Sequence, residues 1–415
     1  MFDLVIRGAP GIAIEDGRIA AIGEELAAGR EEIDAHGLTV FPGLIDVHVH
    51  FNEPGRTEWE GAATGSRAFA AGGGTLFFDM PLNSTPCTVN VKAFDAKRAA
   101  LEQSSVTDFG LWGGLVPGNA RELEGLAERG AVGFKAFMCD SGLPEFSCAD
   151  DATLYEGMAI AAGLGLPVAV HAERPALLQS PGGRTVRDYL ESRPVAAEVE
   201  AIRVATSIAG ETGAKLHIVH VSSGSGVAAA LEARARGVDV SIETCPHYLY
   251  FTEEDMERIG ALAKCAPPLR SRPERDQLWQ RVLDGSVSII GSDHSPAPPE
   301  MKTSDDFFKI WGGIAGVQAT LGVLLELGLA PHNIMKCVSA NPARRFRIAN
   351  KGSLEVGMDA DLALVRIDEP FVMDRGLQRH PLSPYTGCRL RGKVERTFVR
   401  GRVPAPGTGR FVRPE

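Results

Sequence analysis

The sequence has few cysteines, few aromatic residues and no excess of positive charge. Its seven cysteines occur singly among 415 residues, without paired spacing, which favours reduced thiols over a disulfide framework. The formal net charge of −10 argues against nucleic acid or an anionic membrane as a partner. A hydrophobic content of 44% with 7% aromatic residues is ordinary for an α/β enzyme, so the composition leaves that class open.

The sequence also lacks the pattern of an export signal and any long apolar run. Residues 1–7 show no basic region followed by an apolar core. The longest nearly apolar stretch, residues 158–170, has helix-like four-residue spacing and is too short to cross a bilayer. We therefore expect a soluble, cytoplasmic protein.

The middle of the chain alternates short apolar segments with helical patterns, of which residues 196–209 and 227–235 are examples. The predicted strands are residues 44–48, 75–79, 109–115, 132–137, 167–171, 215–220, 238–243 and 287–292. Eight strands separated by helices predict an α/β fold, a parallel (β/α)8 TIM-like barrel rather than an open sheet.

Both ends of the chain carry a different pattern of short alternating strands. Residues 1–42 contain a strong hairpin signal at Asp16 and Gly17, and residues 353–415 show the same pattern of short alternating strands. We predict that these two segments form one small composite β-sandwich domain. Residues 43–352 are then the barrel.

Potential metal ligands stand at the ends of the predicted strands. They are His48, His50, Lys135, His171, His220 and Asp293. His48 and His50 lie two residues apart and therefore point to the same side of their strand. The carboxyl ends of barrel strands meet at one mouth, and imidazole and carboxylate groups suit zinc and related divalent ions. The pattern predicts a metal site there.

The other histidines are not predicted to bind metal. His36, His332 and His380 lie in polar or turn-like surroundings. His217 precedes His220 by three residues on the same predicted strand, so we expect it to face the helix layer.

Lys135 is unusual in this set because an ammonium has no lone pair for a metal. One interpretation is a lysine whose amine reaches water from a buried stem. The other is that burial in an apolar strand favours the neutral amine, which adds carbon dioxide to become an anionic carbamate. Such a carbamate offers two oxygen ligands and is able to bridge two cations, although the spacing alone does not show a bridge.

The ordered motifs resemble the cyclic amidohydrolases of the amidohydrolase superfamily over almost the whole chain. The superfamily is identified by residues 42–50 (PGLIDVHVH), the strand of Lys135, and residues 292–296 (SDHSP). A narrower resemblance, to the branch that hydrolyses allantoin, rests on several further segments. These are residues 52–61 (NEPGRTEWEG), 79–84 (DMPLNS), 193–202 (RPVAAEVEAI), 245–248 (CPHY), 262–268 (LAKCAPP), 295–302 (SPAPPEMK) and 311–316 (WGGIAG).

The resemblance implies two divalent metal ions, usually zinc, and a homotetramer. The first ion is held by His48, His50 and Asp293, and the second by His171 and His220. Lys135, as its carbamate, would bridge both ions together with a hydroxide. In the implied reaction the hydroxide attacks a cyclic amide, and Asp293 acts as general base and then general acid.

The identity of the ring depends on other residues. Dihydroorotases usually carry an arginine two residues after the second histidine, where this chain has the uncharged Asn52, and this favours allantoin over dihydroorotate. The predicted substrate contacts are Asn52, Asn83, Cys265, Ala266 and Gly312, with Gly313 beside them. Loop capping is the alternative for both asparagines.

Three further residues near these motifs have two interpretations each. Arg56 could bind substrate or form an ion pair with Glu58 or Glu60, and Trp59 and Trp311 could line the pocket or serve packing alone. The cysteines, Cys139 included, have no recognisable activating base nearby and are predicted to be structural.

Three functions remain to be weighed. The preferred one is hydrolysis of the hydantoin-ring amide of allantoin to allantoate. The second is a dihydroorotase, or a hydantoinase or dihydropyrimidinase, acting on a related cyclic amide. The third is a non-catalytic interaction protein on the same fold, which the complete ligand set disfavours.

Overall fold

The computed structural model describes residues 1–8, 10–180 and 182–415. The strands are β1 Phe2–Arg7, β2 Gly11–Glu15, β3 Arg18–Gly23, β4 Gly29–Asp34, β5 Thr39–Pro42, β6 Leu44–Val49, β7 Gly74–Asp79, β8 Asp108–Leu111, β9 Gly113–Gly114, β10 Phe134–Phe137, β11 Pro167–His171, β12 Lys215–Ile218, β13 Val240–Thr244, β14 Ile289–Ile290, β15 Leu362–Val372 and β16 Arg389–Phe398. The helices are α1 Ala62–Ala71, α2 Val91–Ser104, α3 Leu123–Glu128, α4 Asp151–Leu164, α5 Val186–Ser192, α6 Val195–Thr212, α7 Gly224–Ala235, α8 Pro246–Tyr250, α9 Glu253–Ile259, α10 Arg272–Leu283, α11 Thr320–Glu326, α12 Pro331–Met335 and α13 Asn341–Arg345.

Parallel strands from the middle of the chain form a closed barrel. β6, β7 and β8 pair in sequence order, and β9 to β14 form a second parallel series. The ring closes where Val49 forms a parallel bridge with His294, whose carbonyl accepts a 2.8 Å hydrogen bond from the His50 amide. The predicted barrel is therefore confirmed. The predicted strand over residues 109–115 is divided at Trp112, because β8 pairs with β7 whereas β9 pairs with β10.

The side chains of the barrel strands point alternately inward and outward. The inward ones form a core inside the barrel, and the outward ones form a second core between the strands and the helices. Val47, Phe78, Trp112 and Ala169 pack together inside the barrel with Phe346, which closes its lower end. Their strand neighbours pack outward against the helices. These outward residues include Phe77, Phe134, Val168, Val170, Leu216 and Ile218. The predicted helices over residues 196–209 and 227–235 are confirmed as parts of α6 and α7.

The two chain ends build smaller sheets beside the barrel. β1 to β4 form one sheet in the order β3-β2-β1-β4, and β5 pairs with β15 in a sheet that β16 completes. Asp16 and Gly17 turn the predicted hairpin between β2 and β3 with positive φ angles of 52° and 76°. A shared apolar core, including Leu4, Ile12 and Phe398, joins the sheets. The division into domains at residues 42 and 353 stays a prediction.

A buried cluster of charges connects the barrel to these sheets. The Lys351 amine lies 2.9 Å from a carboxylate oxygen of Asp108 on β8 and 3.0 Å from one of Asp359. Asp361 is its third acidic partner. Burial alone would lower the pKa of Lys351, but the three carboxylates outweigh burial and raise it. The lysine therefore stays charged and ties the segment before β15 to the barrel wall.

Among the helices of residues 1–8, 10–180 and 182–415, none has both the length and the mean hydropathy that crossing a membrane requires. The apolar stretch at residues 158–170 consists of the end of α4, a turn at Gly165 with φ of 68°, and most of β11.

Candidate metal centre and substrate cavity

A cavity of about 440 Å³ opens at the carboxyl ends of the barrel strands. The strand ends contribute polar side chains to its floor, as expected for the catalytic face of such a barrel. His48, His50, His171, His220 and Asp293 all line the cavity. The connections after β7, β10, β11, β13 and β14 contribute to its wall.

His48, His50 and Asp293 converge on one point of this floor. Oδ1 of Asp293 lies 3.2 Å from Nε2 of His48 and 3.4 Å from Nε2 of His50. Both histidines are on β6, whose alternation places their rings on the same side of the strand, 5.4 Å apart between centroids. Three ligand atoms this close are able to hold one cation.

His171 and His220 form a second group beside the first. Nδ1 of His171 lies 3.0 Å from Nε2 of His220, and the His220 ring centroid is 5.3 Å from that of His48. Nε2 of His171 donates a 2.7 Å hydrogen bond to Glu173, so its Nδ1 lone pair is left to face His220. The four imidazoles thus form one contiguous cluster.

Lys135 lies on β10 beside Ala169 of β11, two residues before His171, and is completely buried. Its amine has no hydrogen-bond partner among the described residues and sits 4.9 Å from the ring centroid of Phe137, which stacks on His171. Burial lowers the pKa of Lys135 to about 8, while the charges of Asp293 and Glu243 oppose that shift. An unpartnered amine with a lowered pKa has the chemistry that carbamate formation requires.

Glu243 at the end of β13 is a site residue that the sequence patterns missed. Its carboxylate accepts hydrogen bonds from Nδ1 of His48 and Nε2 of His217, both 2.9 Å long, and from the His220 amide at 3.2 Å. Burial raises the pKa of Glu243, but the charge of His48 and the hydrogen bonds from His217 and His48 outweigh it and lower that pKa to about 2. Glu243 ends a predicted strand, as the histidines of the site do, and this position is the sequence feature that could have identified it.

The predicted orientation of His217 was wrong. The ring lies inside the barrel, stacked on Trp112 at 6.2 Å and hydrogen-bonded to Glu243, rather than in the helix layer. The reason is that β12 ends at Ile218 and His220 adopts a positive φ of 39°. The alternation on which the prediction depended does not extend to His220, so both histidines face inward.

The residues of the floor fit a pair of divalent cations. The amine of Lys135 is buried without a partner among the described residues, while Nε2 of His50 and Nε2 of His220 face the neighbouring ligand atoms of Asp293 and His171. Glu243 accepts a hydrogen bond from Nδ1 of His48, and Glu173 accepts one from Nε2 of His171. The other nitrogen of each ring therefore keeps its lone pair for a metal. Unpaired buried donors and acceptors of this kind are costly unless a ligand satisfies them.

A different trio, Cys139, His171 and Glu173, also has its potential ligand atoms close together. It fits a metal poorly, because Glu173 already accepts hydrogen bonds of 2.6 and 3.0 Å from Arg193. Burial and the charge of Glu173 raise the pKa of the Cys139 thiol. The thiol therefore stays protonated at neutral pH and is a poor ligand.

The predicted substrate residues separate into two groups. Asn83, Cys265, Ala266 and Gly312 all line the cavity. Asn52 is fully buried, its amide lies 3.5 Å from the carbonyl of Pro296, and it is not among the lining residues. These substrate contacts stay predictions.

The structure shows the surroundings of Arg56, Trp59 and Trp311, for each of which the sequence left two interpretations. Arg56 does not pair with Glu58 or Glu60: it donates to the Asn83 carbonyl at 3.1 Å and lies 3.3 Å from Glu145. Trp311 lines the cavity, and Trp59 packs against its edge, 4.9 Å between ring centroids. The ion-pair partners predicted for Arg56 were wrong, because the connection after β10 brings Glu145 to it.

We predict that Glu243→Gln lowers the metal affinity of the protein by about 10–100-fold, the usual cost of losing the partner of a ligating histidine. Glutamine keeps the size of the side chain but replaces one anionic acceptor with a donor, so His48 and His217 are no longer both satisfied. Chelator competition at fixed pH measures this affinity. Glu232→Gln, at an exposed position of α7, is the matched control, and equal affinities in both variants would contradict the orienting role.

Comparisons with known proteins agree with this geometry. Residues 39–403 match the amidohydrolase family. The chain is 61% identical to an allantoinase from Solibacter usitatus, over 97% of this chain and 93% of that one. It is 53% identical to an allantoinase from Rubrobacter xylanophilus, over 100% of this chain and 98% of that one.

Solved structures of related enzymes have the same fold. The structure of an L-hydantoinase (dihydropyrimidinase) from Arthrobacter aurescens superposes with a TM-score of 0.96 and 33% identity, covering 100% of both chains. A D-hydantoinase (dihydropyrimidinase) from a Thermus species gives a TM-score of 0.92 and 26% identity, covering 99% of both. The predicted fold class and the predicted resemblance are confirmed. The chain therefore belongs to the amidohydrolase family, within the group of its allantoinases.

Proposed function

We propose that this protein hydrolyses the hydantoin-ring amide of allantoin to give allantoate. The observation that carries the proposal is the convergence of four imidazoles and Asp293 beside the unpartnered amine of Lys135, on the floor of one cavity. The relatives at 61% and 53% identity are allantoinases, and this supports the choice of ring. A non-catalytic role leaves so complete a set of ligands unexplained.

The family implies a divalent metal centre, and the potential ligand atoms of His48, His50 and Asp293 lie close enough together to hold one ion. In our assignment His48, His50 and Asp293 would hold one ion, His171 and His220 would hold the other, and Lys135, as its carbamate, would be a ligand of both. We propose zinc, whose preferred ligands these are. When bound, the ions would lower the pKa of a bound water molecule to about 7 and would polarise the scissile carbonyl.

Asp293 is the residue that we assign to proton transfer. In the metal-free site burial raises the pKa of Asp293, but the charge of His48 and the hydrogen bond from His50 outweigh it and hold the pKa well below its usual range. A neighbouring divalent cation would likewise favour the carboxylate form, and this form would accept a proton from the attacking water. It then delivers this proton to the ring nitrogen as the carbon–nitrogen bond breaks, so that the ureide leaves as a neutral group.

The wall of the cavity suits an uncharged ring. The guanidinium of Arg193 lines the cavity, but its Nε and Nη2 are already bonded to Glu173. Asn83 presents an uncharged amide there, 3.4 Å from the hydroxyl of Ser295. These groups are better matched to the amide and urea groups of allantoin than to the carboxylate of dihydroorotate.

A second candidate substrate is hydantoin itself. The hydantoinase of Arthrobacter aurescens covers this chain completely at 33% identity, and both rings contain the same cyclic imide. Initial rates with allantoin, hydantoin and dihydroorotate on the same metal-loaded preparation separate the candidates. We expect kcat/KM for allantoin to exceed the others by at least about 100-fold, since sites that hydrogen-bond a substrate group reject analogues that lack it. Faster turnover of hydantoin would reassign the enzyme.

Two further proposals concern the protein as a whole. We propose a homotetramer, as the resemblance implies, and a cytoplasmic location, as the scattered cysteines favour. Light scattering of the purified protein tests the first of these.

A further inference from the structure

Two lysines outside the candidate metal centre hold the loop that walls the cavity. This loop, residues 299–313, follows β14 and contributes Met301, Ile310 and Gly312 to the lining. Nζ of Lys302 donates to the carbonyls of Ala261, Trp311 and Gly313 at 3.2, 2.9 and 2.8 Å. Nζ of Lys264 donates to three others, those of Phe307, Phe308 and Ile310, at 2.7, 3.2 and 2.5 Å.

Burial, together with a neighbouring cation in each case, lowers the pKa of Lys264 to about 8 and that of Lys302 to about 7. The three carbonyls that converge on each amine favour its ammonium form, in which every N–H has a main-chain oxygen as its acceptor. A lysine ammonium has three N–H groups and no acceptor, so three converging carbonyls satisfy it completely. The two lysines also connect the loop to residues 261–264, the segment that precedes the lining residues Cys265 and Ala266. The loop and that segment are consequently held as one wall.

The bonds around Gly312 have a specific consequence. Lys302 donates hydrogen bonds to the carbonyls of Trp311 and Gly313. The amide of Trp311 donates to the carbonyl of Met301 at 2.9 Å, and the amide of Gly313 donates to the carbonyl of Lys264 at 2.8 Å. Within residues 1–8, 10–180 and 182–415, no backbone hydrogen bond to Gly312 itself is found. Gly312 is exposed and lines the cavity, and a Cβ built on it meets no atom within 4 Å.

We propose that Lys302, supported by Lys264, is a positioning residue for substrate recognition that presents the free peptide groups of Gly312 to the amide and carbonyl groups of a cyclic ureide. This rests on the proposed function, since a cyclic ureide is the ligand class considered. The lysines do not touch the substrate. They fix the two peptide groups of Gly312, because the Trp311 carbonyl accepts from Lys302 and the Gly313 amide donates to the Lys264 carbonyl. In a trans peptide the N–H and C=O point in opposite directions, so the N–H and C=O of Gly312 face away from these partners and are free to pair with a planar ring that has alternating donors and acceptors.

The test is the substitution Lys302→Met in the full-length, metal-loaded protein. Methionine keeps the length of the side chain but leaves the carbonyls of Trp311 and Gly313 without their donor. We expect KM for allantoin to rise about tenfold or more, with kcat within about threefold of wild type, as for the loss of uniform binding. Metal content should stay unchanged, because Lys302 contacts none of the candidate ligands.

A second variant and a control complete the experiment. Lys302→Arg keeps the charge, but its planar fork does not serve three converging carbonyls, so we expect a smaller rise in KM. Lys92→Met, on the exposed side of α2, controls for the loss of a lysine. A KM equal to wild type in whichever Lys302 variant folds, or a fall in kcat with unchanged KM, would overturn the proposal. Failure of the proposed function is distinguishable, because then the wild-type protein itself does not turn over allantoin.

Discussion

Asp293→Ala is expected to lower kcat for allantoin by about 10⁴-fold, the upper range for removal of a general acid–base group. The carboxylate lies within 3.4 Å of two candidate ligands and is ionised, so it is placed both to hold a cation and to carry the proton. Alanine removes both functions without adding bulk. The measurement is kcat with saturating allantoin, together with metal content and thermal unfolding of the same sample.

The fold should tolerate this change, because Asp293 is partly exposed to the cavity and belongs to no strand. Asp305→Ala, an exposed aspartate in the loop that walls the cavity, is the matched control and should keep wild-type kcat. Near-normal activity of Asp293→Ala with full metal content would remove Asp293 from the mechanism. A loss of activity that only follows loss of metal would reduce its role to that of a ligand.

Lys135→Ala is expected to lower the metal affinity strongly, because a bridging ligand itself is lost. Loss of the hydrogen-bond partner of a ligand lowers metal affinity by about 10–100-fold, and we expect a larger effect here. The fully buried position leaves a small cavity beside the imidazoles in the variant. A short carboxylic acid such as acetate is able to enter that space and supply two oxygen ligands. We therefore expect part of the metal content and activity to return as acetate is added.

The control for this variant is Lys215→Ala, which removes a lysine from the amino end of β12, two strands away from β10. It should bind metal normally and show no response to acetate. Full occupancy of both metal positions in Lys135→Ala, with no effect of acetate, would exclude the bridge. Mass spectrometry of the wild-type protein under carbon dioxide adds a direct test for the mass of the carbamate.

Much of the site could be predicted from the chain because its side chains stand at strand ends. The spacing of His48 and His50 on β6 indicated that their rings face one point, and the structure places them around Asp293. The same reasoning failed for His217, because alternation holds only while the backbone is extended and His220 is not. It also gave no information on the burial of Asn52, since the path of a loop is not encoded by periodicity.

The sequence by itself determined the barrel and the chemical types available at its mouth. These follow from local rules: the period of the strands, the strand ends, and the ligand preferences of imidazole and carboxylate. Only the tertiary structure decided which groups orient the ligands and which hold the wall. Glu243 meets His48 across 195 positions of chain, and Lys264 meets the carbonyl of Ile310 across 46, so neither pairing leaves a trace in local spacing. Such contacts are set by how the strands and loops pack around one another, which is a property of the whole fold.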